Sequence, residues 1–142
     1  MTTVNHQAAR TIISAALAHR AAEGMNPLCV AVLDAGGHLV AFEREDGVAN
    51  KRFEIAFGKA HGAISIGSNS RTLGTMALDR PHFINGATAA IGGALVPVAG
   101  GVIIVDGGVR IGAVGISGDT SDNDEAAAIA GILSAGLTPS EK

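Results

Sequence analysis

The stretch "VIIVDGGVRIGAVGIS" (residues 102–117) reads as two apolar, β-branched runs that double back at Asp106, Gly107 and Gly108. Aspartate-glycine between such runs is a strong hairpin signal, because the turn needs dihedrals that glycine adopts without strain. Gly112 and Gly115 interrupt the second run. Glycine inside a strand marks a neighbour that comes close. A second hairpin lies upstream in "LCVAVLDAGGHLVAFERE" (28–45). Residues 28–34 are continuously apolar, as suits a strand covered on both faces. "AGG" (35–37) turns the chain, and 38–45 returns with apolar and polar residues mixed.

Helices fill the space between. Residues 5–23 carry Ala8, Ala9, Ile12, Ile13, Ala16 and Leu17 at helical spacing, with Gly24 as the stop. Residues 51–66 form a second helix with an apolar stripe of Phe53, Ala56, Phe57, Ala60 and Ile64. A short helix opens with Ser70 as its cap and closes at Pro81, and "HFINGATAAIGG" adds helical turns. The last helix covers 122–135, ahead of a frayed tail from about residue 137. The order α-β-β-α-(α)-β-β-β-α gives a single α+β sandwich over residues 1–142, with antiparallel hairpins rather than a doubly wound parallel sheet. No G-x-G-x-x-G or P-loop pattern occurs, and Ser117 followed directly by Gly118 breaks the G-x-S-x-G pattern.

Composition narrows the function. Apolar residues make up 47% and charged residues only 16%, which excludes a disordered chain and points to surface hidden in an oligomer. A net charge of −3 without a Lys/Arg block argues against nucleic acid. Apolar runs are too short to span a bilayer, and "MTTVNHQAAR" has no apolar signal core, so a cytoplasmic home is expected. The single cysteine, Cys29, sits in an apolar run and reads as a small buried hydrophobe. With no Trp or Tyr, aromatic stacking is a poor means of holding a ligand, whereas 20 glycines say that backbone approaches another backbone or a ligand.

Asp119, Asp122, Asp124 and Glu125 cluster at the start of the last helix. Ser121 or Asp122 is placed to cap it, and Asp122 and Glu125 have capping-box spacing. A calcium loop is excluded, since its glycine and distal glutamate are missing. Capping leaves Asp119 and Asp124 free to face a pocket or a neighbouring subunit.

Three segments carry a resemblance: "VAVLDAGGHLVAFEREDG", "GKAHGA" and "GGVIIVDGGVRIGAVGISGDTSDNDEAAAIAG". Over roughly residues 5–135 the chain resembles the GlcG/HbpS family, also called the haem-degrading domain family. The C-terminal domain of PduO-type cobalamin adenosyltransferases belongs to it. The chain departs from the family pattern at Ile103, where members usually carry proline; here Pro97 precedes Gly101 by four residues. The resemblance implies an antiparallel five-stranded sheet with helices packed on it, profilin- or PAS-like in outline. It also implies homo-oligomers from dimer to octamer, and haem as the candidate ligand or cofactor.

Two functional readings follow. In the first the chain is a small-ligand-binding accessory protein. A glycine-lined cleft formed by Gly100, Gly101, Ser117, Gly118 and Asp119 holds a flat or anionic ligand. Lys59 and Arg71 neutralise its carboxylates, and His61 is the optional haem-iron ligand. In the second it is a cofactor-independent isomerase, tautomerase or lyase acting on an organic acid, with Asp124, Glu125 or His61 moving the proton and the Gly101 or Ser117 backbone N–H groups steadying an enolate. The plainer alternatives stay open: His61 tucked at a helix–sheet boundary, and Arg71 in a salt bridge to Asp79 or a partner subunit. His6 and His19 read as solvated, His38 as a turn-edge residue and His82 as a turn cap. Arg44 and Asp46 are rim candidates by resemblance.

Overall fold

The computed structural model describes residues 1–142. Its elements are α1 (His6–Ala22), β1 (Cys29–Asp34), β2 (Leu39–Arg44), α2 (Arg52–Ile66), α3 (Ser70–Asp79), α4 (Pro81–Ala90), β3 (Gly101–Asp106), β4 (Val109–Ser117), α5 (Ser121–Ser134) and β5 (Thr138–Pro139). The strands make one open antiparallel sheet in the order β2-β1-β4-β3-β5, so the fold is α+β.

Each sheet face is covered by the helices whose stripes match it. On one face α1 and α5 bring Ile12, Ile13, Ala127 and Ile132 onto Val30, Val32, Val114 and Ile116. Full burial of each such branched side chain contributes about 1.5–3 kcal/mol. On the other face α2 packs Ala56 against Cys29 and Ala31, and Ala60 against Leu33 and Ala113. The α3–α4 pair forms a satellite core around Leu73, Ile84 and Leu95. Pro81 does not close α3, which ends at Asp79; it opens α4, where a missing N–H costs nothing.

Three further expectations are corrected. The third strand of the expected order is absent. Residues 94–98 form a strap across the outer side of α2, with the Val96 N–H donating to the Gly58 carbonyl. A Cβ on Gly58 would lie 2.7 Å from Val96, and one on Gly62 would lie 2.8 Å from Leu95, so these glycines are the notches that seat the strap. The fifth strand comes instead from the tail, which is tied down rather than frayed. Thr138 and Pro139 pair with Val105 and Ile104, and Asn69 donates to the Ser140 carbonyl. Finally, Thr120 caps α5, not Ser121 or Asp122; its side chain accepts the Asn123 N–H. Thr120→Ala is therefore expected to lower stability by about 0.5–2 kcal/mol while Ser121→Ala leaves it unchanged, as thermal melts of the two variants will show.

Candidate functional site

The segment Gly58–Gly62 sorts its side chains by helical angle. Gly58 and Gly62 take the strap, Ala60 faces the sheet, Lys59 turns toward α5, and His61 turns toward the β1–β2 turn. Lys59 is 2% exposed. Its Nζ donates to Asp124 Oδ2 at 3.2 Å and to the Ile116 carbonyl at 2.9 Å. The other oxygen of Asp124 accepts the Asp119 N–H at 3.0 Å. Burial pushes the Lys59 ammonium below its ordinary range and the Asp124 carboxyl above its own; their mutual attraction opposes both shifts.

The glycine cleft expected between β3, the β4–α5 loop and α2 is filled by this pair. A Cβ on Gly101 would lie 2.3 Å from the Lys59 carbonyl oxygen, and one on Gly100 2.8 Å from Lys59 Nζ. The glycines admit neighbouring backbone and the lysine, not a ligand. The Gly101 N–H is used by Ser70 Oγ at 2.7 Å. Ser117 is fully buried, and its hydroxyl accepts from Arg52 at 3.3 Å. Gly118 packs on the Pro27 carbonyl.

The four clustered carboxylates hold three segments between them. Asp124 holds α2 through Lys59. Asp122 and Glu125 do not form a capping box; both bind Arg71 at the start of α3. They neutralise a cation that would otherwise oppose the helix dipole. Asp119 accepts the Asn26 N–H and the Asn123 side-chain amide, which hold its carboxyl below the usual range. Cys29 is a buried neutral thiol, pushed up to about 11 chiefly by burial. Arg71 and Glu125 also line a groove of about 530 Å³ shared with Thr72, Ile129 and the tail.

His61 is half-buried. Its ring stacks on Phe57 with centroids 5.3 Å apart, and Nδ1 lies 2.8 Å from the Ala94 carbonyl. A carbonyl only accepts, so Nδ1 carries a proton, and in the neutral ring Nε2 holds the lone pair. His61 lines none of the larger hollows. His6 lines two, of about 610 and 280 Å³, and Arg10 lies beside it in both. The smaller runs between α1 and β2, walled by Ile13, Val40, Ala41 and Phe42. His6 is exposed, as expected of a solvated helix residue, and stands with Arg10 and Ile13 at i, i+4 and i+7 on one face of α1.

A family model described as "Haem degrading protein HbpS-like" matches residues 4–133. The chain belongs to the HbpS-like family. A crystal structure of HbpS is 26% identical, covering 94% of this chain and 90% of that one, with a TM-score of 0.81. A double mutant of HbpS from Streptomyces reticuli is 25% identical (94% and 87% covered, TM-score 0.80). A complex of PduOC with heme shares the fold at 22% identity (95% and 96% covered, TM-score 0.84). The curated proteins gave no match. No helix of this HbpS-like chain is long and apolar enough to cross a membrane.

Proposed function

We propose that this HbpS-like chain binds haem as an accessory protein, in the groove between α1 and β2, with His6 as the axial ligand of the iron. One observation carries the reading: His6 and Arg10 together line both hollows, and the smaller one sets them beside an apolar wall. The residues fit the group. An imidazole supplies the donor, a guanidinium matches a propionate, and Ile13, Val40 and Ala41 offer apolar surface to a porphyrin face. Membership of the HbpS-like family and the heme complex of a structural relative support the choice of ligand. Bound haem would supply a redox-active iron. Among the chain's own residues, Lys59 and Asp124 position α2 and α5 rather than touch the ligand. A single buried thiol suits a reducing, cytoplasmic setting.

His61 is the second reading, favoured by one feature. A histidine whose Nδ1–H is fixed by a carbonyl presents Nε2 in the manner of an oriented metal ligand. Haemin titration followed in the Soret region separates the two. His6→Ala is expected to weaken binding at least about tenfold and shift the band, with His61→Ala unchanged. The reverse result assigns the iron to His61, and non-saturating binding by the unmodified protein overturns the haem reading.

A further inference from the structure

We propose that the groove between α5, the start of α3 and the tail binds an aliphatic primary amine, with the ammonium at its Glu141 end and the hydrocarbon stem along Ile129 and Leu133. This groove is separate from the one between α1 and β2, and the inference does not depend on the haem reading.

The groove, of about 530 Å³, is apolar along its length and acidic at one end. Glu125, Ile129 and Leu133 stand at i, i+4 and i+8 on α5 and form one wall over about 12 Å. Val102 is the floor and is 1% exposed. Pro139 stands on the tail side, where the tail pairs with β3. Ile129 packs against the main core and is half-buried, whereas Leu133 is 58% exposed. A hydrocarbon laid over these side chains takes its own surface and theirs out of water.

Glu125 marks the acidic end. Asn69 draws the tail to that end by donating to the Ser140 and Lys142 carbonyls, which sets Glu141 beside it. Arg71 is the only cation that lines the groove, and Asp122 and Glu125 already hold its guanidinium. Glu141 makes no ion pair within the chain. The end therefore carries one carboxylate more than its own cation offsets, and Thr72 adds a hydroxyl able to accept. A primary ammonium matches this end: it is a compact monocation with three donors and no acceptor, protonated at neutral pH as lysine is. A charged head on an apolar stem matches the groove as a whole.

Methyl-resolved NMR titration of the intact protein with n-butylamine, n-pentylamine and n-hexylamine tests this. The expected result is saturable shifts of the Val102, Ile129 and Leu133 methyl signals, with each added methylene tightening binding about threefold. Hexan-1-ol and hexanoate are expected to bind at least about fivefold more weakly than n-hexylamine. Two variants at exposed positions separate the head from the stem. Glu141→Gln is expected to weaken all three amines by the same factor, at least about fivefold, and to keep the dependence on length. Leu133→Asn is expected to flatten that dependence. The first turn of α3 has no side-chain cap and would favour an acid. Hexanoate binding as tightly as n-hexylamine overturns the proposal. So do amine affinities that ignore stem length, affinities unchanged in Glu141→Gln, and shifts confined to residues outside this groove.

Discussion

Lys59→Ala is expected to cost about 3–5 kcal/mol of folding stability, a drop of roughly 10 °C in Tm. The lysine and Asp124 have side chains only 3% and 2% exposed, and each is the other's sole opposite charge in the interior. Removing the lysine leaves a carboxylate in a site whose burial already disfavours ionisation. The pH response gives the mechanism its signature. Without the cation, the folded-state pKa of Asp124 lies still further above its unfolded value. Proton binding then favours the folded state, so stability is gained as pH falls and lost as pH rises through the raised pKa. The deficit of the variant should therefore shrink between neutral pH and the ordinary carboxylate range. Lys59→Met combined with Asp124→Asn removes both charges and keeps an acceptor for the Asp119 N–H. It is expected to return to within about 1 kcal/mol of the parent. If Lys59→Ala alone melts within a degree or two of the parent, the pair is not the pin described here.

The fold was legible where one physical signal dominates. The two hairpins announced themselves through β-branched runs and glycine turns, and the stripes of α1 and α2 through helical spacing. The misread elements are those decided by contacts distant in sequence. Residues 94–98 have strand composition, yet the notches at Gly58 and Gly62 pull them across a helix. The tail looks loose until Asn69 and β3 claim it. In the acidic cluster, capping spacing was a local signal that lost to Arg71, 51 residues away from Asp122 in sequence. Lys59, Gly100, Gly101, Ser117, Asp119 and Asp124 do converge, as their shared motifs suggested. They converge to close the core, because glycine admits a neighbouring backbone as readily as it admits a ligand.

Gly115→Ala tests that role of glycine at its tightest point. A Cβ there would lie 1.9 Å from the Ala56 carbonyl oxygen and 2.9 Å from its carbon. Both are backbone atoms of α2, so no side chain can swing aside. The helix itself must lift from β4, and it carries Lys59 away from Asp124 as it moves. Overpacking a core typically costs about 1–3 kcal/mol. Displacing α2 adds the loss of the buried ion pair, so the expected cost exceeds about 3 kcal/mol, with much of the protein insoluble on expression. Gly107→Ala is the matched control. Gly107 stands at φ +55° in the β3–β4 turn with nothing within 4 Å of an added Cβ. That substitution carries only the left-handed backbone penalty of about 1–2 kcal/mol. The order Gly115→Ala far below Gly107→Ala in thermal melts is the predicted result. Equal melting temperatures would mean that α2 rides loosely on the sheet, and the pinning of the β4–α5 loop by Lys59 would have to be abandoned with it.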